Sequence, residues 1–400
     1  MNAGGRRQEV VDLHSQPGEL SFEARVGGRD DRIWLKAADS APTSAEAVLP
    51  ACLMPAMRSG GTLAVPTGIS PRMLRNQREF QAIQRAWSHG WGFGDPPLEE
   101  VEVLAESGPP PAPQQEGRVA AFFSGGVDSW STLLDHPEIT DLIFVRGIDL
   151  VLGAPHQVEL ADLVEARIRD TAAQLGRTLH VVETNLRQLS EPLVRWESFY
   201  GCALVTVALF LAPRFERVLL AGDADFEVQF PMGANRLVDQ LWSTEQLEVV
   251  DDGGRYSRVE RTQRIAGHPL VQQTLRVCWE NPGGAYNCGR CRKCLMTMLT
   301  LEALGARASV ATFPPELDLE AIAAIEVDQE ILLVLWEDVL DAIRASGRAD
   351  LEPVVEAVVD KAKRRLGLPA DYRRRSRPGP PPLRQSGSLP RRIAARLRRR

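Results

Sequence analysis

The sequence predicts an α/β protein: a parallel sheet with helices on both faces, joined to a small N-terminal α/β domain and a helical C-terminal region. Three observations carry this. Short apolar runs without alternation occur at residues 119–123, 142–145, 179–182 and 218–221, each bounded by turn residues or charges. Helically patterned stretches at 129–134, 157–174 and 199–211 fall between them. After residue 316 the pattern becomes wholly helical. Strands buried on both faces read as continuous apolar runs, and parallel neighbours need a crossover helix between them. On such sheets ligands bind beyond the carboxyl ends of the strands.

The remaining elements follow in order. Residues 1–18 read as disordered. Residues 19–106 read as the small α/β domain, with strands at 20–26, 32–36, 61–65 and 99–104. Its helices fall at 43–57, with Ser44 as N-cap, and at 70–87. Trp34, Trp87 and Trp91 read as core residues. The segment 107–117, SGPPPAPQQEG, is a Pro-rich linker. The main domain covers 118–305, and 306–368 is helical, with helices at 317–324, 329–345 and 352–366. Residues 369–400 form an Arg- and Pro-rich tail expected to be disordered.

The formal net charge is −6, yet eleven arginines and no acid lie between Arg373 and Arg400. The body is therefore distinctly acidic, which argues against a broad nucleic-acid footprint outside that tail. No run approaches the ~18–20 apolar residues that span a bilayer, and the first twenty residues lack the apolar stretch of a secretory signal. The expectation is a cytoplasmic protein with a small-molecule substrate and no membrane partner; the basic tail, the one segment suited to nucleic acid, reads as a solvated end.

The strongest chemical signal is Ser124-Gly125-Gly126-Val127-Asp128-Ser129, between the strand at 119–123 and the helix from 129. Two glycines let backbone N–H groups approach phosphate oxygens, and a helix N-terminus adds partial positive charge. Ser124 and Ser129 can donate to the same oxygens. Asp128 would cap the helix or hold Mg²⁺ bridging the phosphates. The segment lacks the G-x-x-x-x-G-K-[ST] of a Walker A loop. Polar residues after the other strands, Arg146 to Asp149, Glu183 to Asn185 and Gly222 to Asp225, should border the same crevice.

Cys278, Cys288, Cys291 and Cys294 form C-x9-C-x2-C-x2-C. Four thiolates complete a tetrahedral Zn²⁺ site of structural type; an iron–sulfur cluster uses the same ligands. Gly289 permits the tight knuckle, and Arg290, Arg292 and Lys293 would offset the thiolate charge. Cys52 and Cys202 sit in apolar surroundings and read as core. His180 reads as a satisfied core histidine, and His268 as the cap of a helix leading to Cys278. Arg255, Arg258, Arg261 and Arg264, three residues apart, read as a solvated basic face, with phosphate or carboxylate neutralisation as the alternative. The segment 249–259 reads as a hairpin around Asp252-Gly253-Gly254.

The SGGVDS segment resembles the signature of PP-loop ATP pyrophosphatases. Followed by the four cysteines about 150 residues later, it resembles the QueC (7-cyano-7-deazaguanine synthase) family over roughly 119–304. The resemblance implies an adenine nucleotide alpha hydrolase-like (HUP-like) fold, binding of the β,γ-diphosphate of ATP, attack on the α-phosphorus by a substrate oxygen, and a structural zinc. It also implies an adenosine contact at Arg146 to Asp149. The implied function is an AMP- and pyrophosphate-forming ligase that activates a carboxylate or amide oxygen for a nitrogen nucleophile, with ATP, Mg²⁺ and Zn²⁺. Where that family has an Arg-Asn pair, this chain has Ser198-Phe199-Tyr200-Gly201. Where it has Tyr-Pro-Asp-Cys-Arg, this chain runs from Phe230 to Arg236 without a cysteine. The alternatives are a tRNA-modifying thiolase or ligase and a non-catalytic nucleotide-sensing zinc scaffold.

Overall fold

The computed structural model describes residues 7–90, 97–108, 117–153 and 155–373. It is a mixed α/β protein with a ten-stranded, mostly parallel sheet. The strands are β1 (Arg7–Gln16), β2 (Glu19–Val26), β3 (Arg29–Ala37), β4 (Gly61–Ala64), β5 (Val101–Leu104), β6 (Val119–Phe122), β7 (Asp141–Arg146), β8 (Thr178–Thr184), β9 (Arg217–Ala221) and β10 (Glu248–Asp252). Their order across the sheet is β10-β9-β6-β7-β8-β3-β2-β1-β4-β5.

The helices are α1 (Val48–Met57), α2 (Pro71–Gly90), α3 (Val127–Asp135), α4 (Pro155–Gln174), α5 (Leu186–Ser190), α6 (Trp196–Phe210) and α7 (Arg236–Asp239). They continue with α8 (Arg258–Ile265), α9 (Pro269–Thr274), α10 (Arg292–Ala303), α11 (Leu319–Ala324), α12 (Glu330–Ser346) and α13 (Glu352–Arg365). None is long and apolar enough to cross a membrane.

The chain divides into two compact units. One holds the residues up to Ser124, Thr132–Asp225 and Gln229–Gly254; the other holds Gly125–Ser131, Phe226–Val228 and the chain from Arg255 on. All ten strands belong to the first unit. Within it, β6 to β10 pair in parallel in the order β8-β7-β6-β9-β10. The order reverses between β6 and β9, which makes that gap the topological switch point of this half of the sheet. The four residues of β6 are all buried, as the unbroken apolar run predicts.

The N-terminal elements depart from expectation in two ways. Residues 7–16 form β1 rather than a disordered lead-in. Nor do the strands of 19–106 close a sheet of their own: β3 pairs antiparallel with β8, Leu35 opposite Thr184, and carries the sheet outward. The alternation Leu20, Phe22, Ala24 and Val26, all buried, gives β2 one core-facing side. That side joins the core that also takes in α1 and α6. Trp87 packs against this core, while Trp34 is half-exposed beneath the Lys36 ammonium. Trp91, residues 109–116 of the linker and the tail from 374 on lie outside the described residues.

The second unit has its own core, built by α8 and α10 to α13 around Trp336, Leu299 and Val355. The hairpin expected at 249–259 is not formed. Its first half is β10, paired in parallel with β9, and its second half opens α8. Ser257 and Glu260 form a capping box there, and two reciprocal N-terminal hydrogen bonds outcompete a turn at Gly253-Gly254.

Candidate functional site: a glycine turn and a four-cysteine centre

β6 ends at Phe122 and α3 begins at Val127, so residues 123–126 make the turn. Gly125 has φ +74°, a left-handed conformation that costs a residue bearing a Cβ about 1 kcal/mol or more. Its carbonyl accepts a hydrogen bond from the Arg276 N–H at 2.9 Å. The Ser129 hydroxyl donates to the Gly126 carbonyl at 3.1 Å rather than standing free toward a ligand. The first N–H groups of α3 have no intrahelical acceptor, as in any helix, and carry its positive end. Ser124 is half-buried at the close of the strand.

Asp128 lies in the first turn of α3 and is clasped by α8. Arg258 Nη1 donates to its Oδ2 at 2.6 Å, and Arg261 Nη1 to its Oδ1 at 2.8 Å. Burial pushes the carboxyl upward, but the charges of Arg258, Arg261 and Lys293 outweigh that and hold it at about 2. Both oxygens being taken by guanidiniums, Asp128 does not fit the expected role of Mg²⁺ ligand; a dication there would face two cations. The basic face expected on α8 is likewise not simply solvated. Arg261 is only 1% exposed and also donates from Nε to the Tyr256 carbonyl. Only Arg255 and Arg264 of the four are exposed, the latter over the Tyr256 ring. The i, i+3 spacing of Arg258 and Arg261 puts both on one helix face, a signal present in the sequence and outweighed there by their polarity.

In the first unit the other strand ends are occupied by structural contacts. Arg146, expected near adenosine, is ringed by Asp162, Glu165 and Glu183 at 2.7, 2.8 and 3.4 Å. Asn185 bonds the Trp34 N–H and the Arg32 carbonyl. Gly201 packs so tightly on the 230–236 segment that an added Cβ would stand 1.6 Å from the Gly233 carbonyl oxygen. Asp239 is buried, and burial together with the charge of Asp251 pushes its carboxyl well up. His180 is satisfied by Asp141 at 2.8 Å.

The four cysteines converge in the second unit. Their Sγ atoms all lie within 4.8 Å of one another, with Cys278 to Cys291 and Cys288 to Cys294 each at 3.9 Å. A tetrahedron with metal–sulfur bonds of ~2.3 Å has edges of about 3.8 Å, so the donor set and its spacing fit one tetrahedral ion such as zinc. An iron–sulfur cluster would need room for several atoms between the thiolates. Backbone N–H groups already point at the sulfurs: Asn281 to Cys278 at 3.3 Å, and Arg290 and Cys291 to Cys288 at 3.4 and 3.2 Å. Hydrogen bonds from the Cys291 and Cys294 thiols pull Cys278 far below the ordinary thiol range, and the same hydrogen bond to Cys278 pushes Cys291 up to about 12. Gly289 has φ +71°, and an added Cβ would meet Pro314 Cγ at 2.7 Å. Of the three nearby cations, Arg290 pairs with Asp318.

Sequence reasoning passed over three residues that tie the two motifs together: Arg276, Asn281 and Asn287. Asn287 Oδ1 accepts from the Val277 and Cys278 N–H groups at 2.9 and 3.2 Å. Arg276 Nη2 donates to Asn281 Oδ1 at 2.9 Å. His268 caps α9 through Nδ1, as expected. Cys52 and Cys202 are buried, and burial pushes both thiols up.

Comparison of the chain with protein-family models, with curated proteins and with solved structures found no match.

Proposed function

We propose that the chain is an ATP-dependent adenylating ligase of QueC-like type, forming AMP and pyrophosphate while it activates a carboxylate or amide oxygen of a small molecule. One observation carries the reading. The glycine turn opens α3, and the single carboxylate of the first turn of α3, Asp128, is neutralised twice over by Arg258 and Arg261. A helix N-terminus with surplus positive charge and a left-handed glycine is suited to a diphosphate.

In this reading the amides of 125–128 and the Arg258 guanidinium hold the β,γ-diphosphate as it departs. A substrate oxygen forms a bond to the α-phosphorus while the bond to the diphosphate breaks. A nitrogen nucleophile then displaces AMP. Positioning and charge stabilisation of the leaving group supply the catalysis. The four cysteines would hold Zn²⁺ with every position filled by protein, a structural role. A sulfur-transfer reading gains no support, because Cys202 is buried with its thiol pushed up.

The test is pyrophosphate release from MgATP with a panel of carboxylic acids and ammonium. Release that depends on one acid, and falls at least tenfold in Arg258→Ala, supports the reading. Calorimetry in which metal-replete protein takes up no MgATP and no pyrophosphate would sink it.

A further inference from the structure

The strip from Thr274 to Cys278 touches the glycine turn at one end and supplies the first thiolate at the other. Arg276 N–H holds the Gly125 carbonyl, and the Cβ position of Gly125 lies 3.7 Å from the Thr274 carbonyl oxygen. The strip has little regular structure of its own beyond the end of α9. It is fixed largely by residues from the excursion between Cys278 and Cys288. Tyr286 Oη donates to the Thr274 carbonyl at 2.7 Å. Asn287 Nδ2 donates to the Leu275 carbonyl at 2.9 Å, and its Oδ1 takes the Val277 and Cys278 N–H groups. Asn281 takes the Arg276 guanidinium on Oδ1, donates from Nδ2 to the Ala285 carbonyl at 2.9 Å, and donates its N–H to Cys278 Sγ. From outside the excursion, Thr312 Oγ1 adds a bond to the Leu275 carbonyl at 2.7 Å.

Two details show that this arrangement is held rather than relaxed. Asn281 sits at φ +43°, ψ +49°, a left-handed conformation uncommon outside glycine though tolerated by asparagine, and its hydrogen bonds to Arg276, Ala285 and Cys278 pin it there. Arg276 is 5% exposed, and among the described residues it has no carboxylate partner, no acceptor for its Nε and Asn281 as its one side-chain partner. A buried guanidinium without a counter-charge is costly. A metal bound by four thiolates carries net negative charge two residues away, and supplies what Arg276 lacks.

We propose that metal occupancy of the four-cysteine centre sets the shape of the glycine turn, with Arg276 and Asn281 as positioning residues that transmit it. The ion ties Cys278 to Cys288 and so closes the excursion that clamps the strip; the strip in turn holds Gly125 by its carbonyl. Lys293, between two of the thiolates in sequence, adds an electrostatic link because its charge favours ionised Asp128. The consequence for phosphate binding rests on the ligase reading, whereas the coupling itself does not.

The test is hydrogen exchange of the full chain, zinc-loaded and chelated, followed at the amides of 124–128, with α12 and α13 as internal reference. Chelation is expected to speed exchange at the turn at least about tenfold while the reference helices stay protected. Because chelation can unfold more than the turn, Asn281→Ala and Arg276→Gln are measured with zinc bound. Both are expected to keep about one equivalent of zinc and to show the same tenfold loosening. Asn281→Asp, which keeps an acceptor for Arg276, is expected to restore most of the protection. Zinc-replete Asn281→Ala and Arg276→Gln proteins with wild-type exchange at 124–128 would overturn the coupling. Pyrophosphate titration of the same proteins separates the two ideas: a turn that follows the metal but binds no pyrophosphate or MgATP removes the ligase reading and leaves the coupling standing.

Discussion

Arg261 Nη1 lies 2.8 Å from Asp128 Oδ1, joining the first turn of α3 to the middle of α8. Arg261 is almost wholly buried, so removing Asp128 takes the carboxylate counter-charge from a desolvated cation. Asp128→Ala is expected to destabilise the protein by about 3–5 kcal/mol, and Arg261→Ala by a similar amount. In a double-mutant cycle from urea melts, the pair should cost far less than the sum of the two single changes.

The same pair has a pH signature. Asp128 is depressed from its ordinary value to about 2, so its stabilisation is present above pH ~4 and is lost as pH falls toward 2. The size is about 2 kcal/mol. Urea midpoints of wild type and Asp128→Asn should converge between pH 4 and pH 2; curves that stay parallel across that range would count against the ion pair.

His136 carries the opposite sign. Its Nε2 lies 3.0 Å from Asp252 Oδ1 and its Nδ1 2.9 Å from Glu138, and the hydrogen bond to Asp252 raises the imidazole to about 9. Its contribution is fully present below pH ~6.5 and fades as pH climbs through about 9. After discounting for solvent screening it amounts to about 1 kcal/mol. An NMR titration of the His136 ring that shows a midpoint near 6.5 would contradict this.

Gly289 is irreplaceable for two separate reasons, its φ of +71° and the 2.7 Å approach of Pro314 Cγ to any added Cβ. Gly289→Ala should weaken zinc retention at least about tenfold against a competing chelator, with a smaller loss in global stability. Gly305→Ala, also left-handed but with nothing near its Cβ position, should cost only about 1 kcal/mol and leave zinc affinity unchanged.

On the ligase reading, Arg258→Ala should weaken pyrophosphate binding about 10- to 100-fold through loss of a charge-assisted contact. Arg264→Ala removes an exposed cation stacked on Tyr256 and should change it less than threefold. Calorimetric titration at two salt concentrations distinguishes the two variants.

Much of this architecture is legible in the chain because it is local. The apolar run of β6, the two glycines, the helical period of α3 and the cysteine spacing are all read within a few residues. Asn281 and Arg276 were not legible, since their importance comes from a fold-back of five residues that orders only around the cysteines. Residues 249–259 misled because a Gly-Gly turn signal is local, whereas the partner of β10 is β9, some thirty residues earlier in the chain. Parallel pairing leaves no short-range mark. The union of β3 with β8 is antiparallel, but no tight turn joins strands about 150 residues apart, so it too was invisible.

That union bears on how the protein is made. The first three strands emerge from the ribosome well before β8 exists, and β3 has no partner on its outer side until residue 184 has been synthesised. Until then a meander with one hydrophobic side, Leu20 to Val26, waits in the open. Deleting residues 7–37 would strip the flank of β8 instead, leaving an unpaired strand border ready to recruit another chain. A shortened protein lacking those residues should therefore accumulate as aggregate rather than as a smaller soluble core.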